Sequence, residues 1–187
     1  MPRSETLALG TLAATPLEVA TAYAVFANGG FKVEPYYISR IEDYSGKVVF
    51  QAKPKIACGS CEPTETPRTR FHDVAAPPLL RELAREQGGP GYLSADRLAP
   101  RVISTQNAWL MSDILHDVTV RGTAQRSRAL GRDDLAGKTG TTDDYVDNWF
   151  NGFNRNLVAS VWVGIDDRKS LGAGEEGSRT ALPVWMH

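Results

Sequence analysis

Toward the C-terminus three strand candidates follow one another: Asp134 to Thr142, Asn148 to Asn154, and Leu157 to Asp166. Asn154-Arg155-Asn156 forms a tight turn between the last two. A parallel pair needs a crossover of about a dozen residues, whereas so short a link closes only a hairpin. These strands therefore pair antiparallel. The last is apolar at nearly every position, a pattern that predicts cover on both faces.

Two helices are predicted to pack on this sheet. Thr15-Pro16-Leu17-Glu18 has a capping threonine, proline at the first helical position and the glutamate of a capping box. Leu17, Ala20, Tyr23, Ala24 and Ala27 then recur at helical spacing until Asn28-Gly29-Gly30 supplies a left-handed stop. Ser104 caps the second helix, whose stripe Ala108, Met111, Ile114, Leu115 and Val118 reads as core, and Arg121-Gly122 ends it. The expected class is α+β, an antiparallel sheet with packed helices.

Between the helices the pattern turns to strand, at Phe31 and Val33 and then from Tyr36 to Ile41. Ser45-Gly46 turns the chain into Lys47-Val48-Val49-Phe50, which reads as a hairpin. Residues 52 to 100 carry most of the prolines, two cysteines and Gly88-Gly89-Pro90-Gly91, with one short helix expected near Leu79 to Glu86. Loops this long in a compact domain are usually functional, mobile or inserted.

At 187 residues the chain suits one domain. Nothing approaches the run of about 18 apolar residues of a membrane span, so the chain itself is expected to make no membrane contact. A formal net charge of −1 argues against nucleic acid as the main partner, since phosphate binding needs a clustered positive field, and Arg68 with Arg70 is a short cluster. Met1-Pro2-Arg3-Ser4-Glu5 resembles neither a signal nor a transit peptide. On that reading the chain stays where it is made, or its export signal lies on another part of the protein.

Cys58-Gly59-Ser60-Cys61 has no second cysteine pair and only three histidines to draw on, so a closed zinc site lacks ligands. Glu62, Pro63 and Pro67 mark a loop rather than the helix start of a thioredoxin-like motif. A local disulfide between Cys58 and Cys61 or a pair of free thiols remains open, and the disulfide would add only about 2 kcal/mol because the loop is small. No cofactor and no metal is expected.

Lys138-Thr139-Gly140 is the motif with chemical content. A phosphate-binding loop needs a glycine five residues before the one preceding its lysine, and Gly131 stands one residue too far from Gly137. Asp133 and Asp134 would repel a phosphate, and the residues after the lysine read as strand rather than helix. On a strand, alternation sends Lys138, Gly140 and Thr142 to one face and Thr139 and Thr141 to the other. A bulge or twist at Gly140 would let ammonium and hydroxyl converge on one anion, and the missing side chain leaves room for a peptide backbone along the edge. The anion expected is a peptide carboxylate.

DLAGKTGTTDDYVDNWFNGF, followed by LVASVWVGIDD, resembles the C-terminal part of the transpeptidase domain of class A penicillin-binding proteins, the bifunctional peptidoglycan synthases. TPLEVATAYAVFANGG and APRVISTQNAWLMSDILHDVTVRGTA are similar to the helices before it, in family order, and a loop with a cysteine pair resembles the 1a type. The resemblance implies the penicillin-binding and serine β-lactamase-like fold. Residues 1–187 would then be the C-terminal portion of one transpeptidase domain, with a loop-rich insertion at about 52–100. Its motif set comprises Ser-x-x-Lys, a Ser-x-Asn type motif and Lys-Thr-Gly, and only the third occurs here. The other two lie upstream in the family, so truncation is expected, and no residue of this chain is expected to be catalytic.

By resemblance, Lys138, Thr139 and Thr141 orient the carboxylate of a D-Ala-D-Ala stem peptide or of a β-lactam. Gly140 allows close backbone approach, and the Thr141 amide is one oxyanion donor. The partners implied are peptidoglycan, β-lactams and the missing N-terminal part of the domain. The parent would sit at the inner membrane with this domain on the periplasmic side. Two rival readings are a non-catalytic binding or structural module made as it stands, and a serine β-lactamase, which fits the long hairpin poorly.

Other polar groups have plainer readings. Asp143, Asp144 and Asp147 read as loop acids, Asp166-Asp167 as a strand terminus, and Trp149 with Trp162 as sheet-face packing. His72 and His116 read as surface or helix-end histidines. A half domain is expected to leave a broad apolar face uncovered.

Overall fold

The structure, a computed structural model, describes residues 13–59 and 95–187. The chain divides into two compact units, residues up to Gly30 with Val102–His187, and Phe31–Arg101.

In the first unit, helix α1 (Pro16–Ala27) begins at a reciprocal cap: Thr15 Oγ1 accepts from Glu18 N at 3.3 Å, and Glu18 Oε2 accepts from Thr15 N at 2.8 Å. These bonds, the Thr15 amide first, hold the Glu18 carboxyl below its usual range. Gly29 and Gly30, at φ 81° and 110°, end the helix. Val102 N donates to Gly30 O at 2.8 Å, so within this unit the chain resumes where it left off.

Helix α2 (Thr105–Arg121) is capped by Ser104 Oγ, which accepts from Asn107 N at 3.1 Å. Its buried line is Ala108, Leu115 and Thr119, with Val118 half-buried. The expected stripe is only partly inward: Met111 and Ile114 are 37% and 57% exposed. Hydroxyls take the inward places because they find carbonyls there. Ser112 Oγ donates to Ala108 O at 2.9 Å, and Thr119 Oγ1 lies 2.7 Å from His116 O and 2.9 Å from Leu135 O. With Trp109 and Leu110, the displaced residues form an exposed apolar face.

Strands β1 (Arg40–Glu42) and β2 (Val48–Gln51) belong to the second unit; the first holds β3 (Ala136–Thr141), β4 (Asp147–Phe153) and β5 (Val158–Gly164), antiparallel in the order β3-β4-β5. Asn154 makes the last turn by itself: its Oδ1 accepts from Asn156 N at 2.8 Å and Leu157 N at 2.9 Å. Alternation along β4 feeds two cores. Phe150 packs with Ala124, Ala181 and Leu182, the last two from the short helix α3 (Ala181–Trp185). Phe153 packs with Leu115, Ala136, Tyr23 and Phe26. Burial follows the central strand: β4 is mostly buried, whereas no residue of β5 is. The cover expected on both faces of β5 is therefore partial. As an outer strand among the described residues, β5 splits its valines, Val161 and Val163 to one core and Val158 to the other.

In the second unit, β1 (Arg40–Glu42) and β2 (Val48–Gln51) form the hairpin. Asp43 organises its turn, with Oδ1 accepting from Ser45 N at 2.9 Å, Ser45 Oγ at 2.6 Å and Lys47 N at 3.0 Å. Tyr36 to Ser39, expected as strand, lie outside one, because β2 is too short to pair with them. Phe31 makes a single antiparallel bridge to Arg101, whose guanidinium lies 4.1 Å from the centre of the phenylalanine ring. This unit also contains the segment that the sequence sets apart at 52–100. Cys58 is disulfide-bonded. Cys61, His72 and the helix expected near Leu79 to Glu86 lie outside the described residues. Among the described residues no helix is long and apolar enough to cross a membrane.

Candidate functional site

Lys138, Thr139, Gly140 and Thr141 lie on β3, the outer strand opposite β5. They pair in regular register with Asn151, Phe150, Trp149 and Asn148. No bulge interrupts the ladder, so the convergence expected from one at Gly140 arises differently. The lysine stem folds back along the strand. Its Nζ donates to Thr139 O at 2.8 Å and approaches Thr139 Oγ1 at 3.4 Å, although the two side chains leave opposite faces. Lys138 is exposed and Thr139 half-buried, which leaves the ammonium open to solvent beside a fixed hydroxyl.

Both threonine hydroxyls are held from outside the strand. Thr123 Oγ1, in the turn after α2, stands 2.7 Å from Thr139 Oγ1. Gly177 N, in the loop before α3, donates to Thr141 Oγ1 at 3.1 Å. That contact needs glycine, since a Cβ at 177 would collide with the carbonyl oxygens of Trp149 and Gly140. The same loop is fastened by buried Asn148, whose Nδ2 donates to Glu175 O at 2.6 Å. Its Oδ1 is buried without a hydrogen-bond partner among the described residues. Sequence reasoning assigned no role to Thr123, Asn148 or Gly177. Their contacts span 16, 27 and 36 residues, and no local pattern marks them.

Asp147 Oδ1 accepts from Trp162 Nε1 at 2.9 Å, beside the cross-strand Trp149–Trp162 ring pair at 6.5 Å. Asp143 and Asp144 sit in a short helical turn where Asp144 has φ 58°. Among the described residues no group of three His, Cys, Asp or Glu side chains is placed to hold a metal. His116, in the C-terminal half of α2, is half-buried, and its Nδ1 donates to Leu135 O at 2.9 Å. It thereby ties α2 to the residue just before β3.

An exposed ammonium with two hydroxyls along one outer strand suits a small anion, because a lysine only donates and hydroxyls can donate.

The family described as penicillin binding protein transpeptidase domain matches residues 3–183. Penicillin-binding protein 1A of Pseudomonas aeruginosa is 42% identical over 100% of this chain and 24% of its own length. That of Haemophilus influenzae is 36% identical over 98% of this chain and 27% of its own. The crystal structure of penicillin-binding protein 1A from Haemophilus influenzae superposes with a TM-score of 0.76 at 40% identity, covering 98% of this chain and 27% of that one. The chain thus spans only 24% to 27% of these relatives, and the mixed helix and antiparallel-sheet architecture is that of the solved relative. It belongs to the penicillin-binding protein transpeptidase domain family.

Proposed function

We propose that residues 1–187 are the C-terminal portion of one DD-transpeptidase domain, and that β3 grips the terminal carboxylate of a peptidoglycan stem peptide or of a β-lactam. The observation that carries this reading is the solvent-open Lys138 ammonium beside the Thr139 hydroxyl on a regular outer strand. Lys138, Thr139 and Thr141 orient the carboxylate, Gly140 lets the peptide backbone approach, and the Thr141 amide donates to the developing oxyanion. The acylating serine and its lysine come from the upstream part of the parent. There the serine attacks the D-Ala-D-Ala carbonyl, D-Ala leaves, and an amine of a second strand takes over the acyl group. The parent is placed at the inner membrane of a bacterium, with this domain in the periplasm. Cys58 is disulfide-bonded, consistent with an oxidising compartment.

Two measurements test the reading. Incubated with a fluorescent penicillin, the isolated chain is expected to carry no covalent label, and a stoichiometric adduct would reveal a nucleophile within it. In NMR titrations the chain is expected to bind N-acetyl-D-alanyl-D-alanine in preference to its C-terminal amide, and Lys138→Met to abolish the preference. A chain that treats acid and amide alike is a structural module instead.

A further inference from the structure

A hydroxyl is ambivalent, with one proton to give and two lone pairs to receive. A site for an anion needs it as a donor. Around β3 the neighbours of both threonine hydroxyls bear on that choice. Gly177 N is a backbone amide and can only donate, so at 3.1 Å it fixes Thr141 Oγ1 as its acceptor and leaves the Thr141 proton to point elsewhere. Lys138 Nζ likewise only donates, and at 3.4 Å it faces one lone pair of Thr139 Oγ1. The remaining neighbour of Thr139 is the Thr123 hydroxyl at 2.7 Å, a contact in which either oxygen is able to give the proton.

Resting on the carboxylate reading above, we infer that Thr123 is a positioning residue: its hydroxyl donates to Thr139 Oγ1 and so turns the Thr139 proton toward the bound carboxylate. With Lys138 and Thr123 on its two lone pairs, Thr139 has no acceptor capacity left and presents a proton alone. The reverse polarity would spend the Thr139 proton on Thr123 and face the anion with a lone pair. Thr123 suits the role because it is exposed, so water serves its own lone pairs at little cost. Thr123 and Gly177 thus do the same work from two different segments, the turn after α2 and the loop before α3. The site gains selectivity for an acid over a neutral amide from residues that never touch the ligand.

Thr123→Val removes the donor while keeping shape, and an exposed position tolerates it; Thr123→Ala serves as a second variant, and Thr123→Ser restores the hydroxyl. Affinity for N-acetyl-D-alanyl-D-alanine and for its amide is read by NMR titration of each variant of the full chain. One charge-assisted hydrogen bond set askew weakens acid binding by about five- to tenfold in Thr123→Val and Thr123→Ala. Amide binding stays unchanged, and Thr123→Ser returns acid affinity to that of the wild type. In a Thr139→Val background, Thr123→Val adds nothing, because its target is gone. Unchanged acid affinity in Thr123→Val, a Thr123→Ser variant as weak as Thr123→Val, or additive losses in the double variant each overturn the inference while the carboxylate reading stands. A wild-type chain without preference for the acid overturns both.

Discussion

Phe150 and Phe50 occupy the same kind of element, an antiparallel strand, yet Phe150 is fully buried while Phe50 is 46% exposed. The contrast extends to their units. Around Phe150 the sheet is clamped by Ala124, Ala181, Leu182 and Trp185, and a second core lies behind it at Phe153. Around Phe50 every residue of β1 and β2 is exposed, and the hairpin is held by its ladder and by the three bonds that Asp43 Oδ1 accepts. Phe31 and Ala99 are the buried apolar residues of that unit among those described. One unit is stabilised by apolar area removed from water, the other by local turn chemistry, and the candidate site sits on the first. A ligand-gripping strand benefits from a rigid support.

The sharpest break of this comparison is a pair of truncations. Phe150→Ala is expected to cost about 3–5 kcal/mol in urea unfolding, whereas Phe50→Ala stays within about 0.5 kcal/mol. Equal losses would mean that the hairpin has a core of its own. Next comes Gly177→Ala, where overpacking against the β3–β4 carbonyls is expected to cost about 1–3 kcal/mol and to shift the NMR signals of Thr141 and Trp149. An unperturbed spectrum would sink the tight seating of that loop. Asp43→Ala should act locally: amide exchange quickens at Ser45 and Lys47 while β4 keeps its protection, and a global effect would contradict the separation of the two units.

The smallest effects are in pH, at one group in each unit. The Ser45 hydroxyl, then the Lys47 amide, holds the Asp43 carboxyl below the usual aspartate range. Its folded pKa lies below its unfolded one, so its stabilisation is complete above the ordinary aspartate pKa and is lost as pH falls through the folded value. Tyr23, half-buried against Phe26 and Phe153, has its phenol raised by desolvation. Its contribution is complete below about pH 10 and is lost as pH rises toward the folded value. Acid should therefore loosen the turn at Asp43, and alkali the packing around Tyr23. Residue-resolved amide exchange checks both, with Asp43→Asn and Tyr23→Phe each expected to remove one response.

Elements whose stop and start signals are local were legible. The Thr15 and Ser104 caps, the Ser45-Gly46 turn and the turn at Asn154 all act within five residues, and the three strands of the sheet unit fall within two residues of the expected bounds. The strand expected at Tyr36 failed for the opposite reason, since a strand exists only where a partner of matching length does. In the candidate site Lys138, Thr139, Gly140 and Thr141 were readable from a motif, but the way they converge was not. That depends on the rotamer of one lysine along an unbroken ladder.

The amino-acid sequence by itself determined the antiparallel hairpin at Asn154, the boundaries of α1 and α2 though not the existence of α3, and the chemical character of the strand bearing Lys138, because turn closure, capping and side-chain type are properties of neighbours in the chain. The tertiary structure alone decided that Thr119 rather than Ile114 faces inward, that β4 rather than β5 is the buried strand, and that Thr123 and Gly177 reach the hydroxyls of β3. Burial and long-range hydrogen bonds are set by what packs against a residue, and that partner is chosen only when the chain closes on itself.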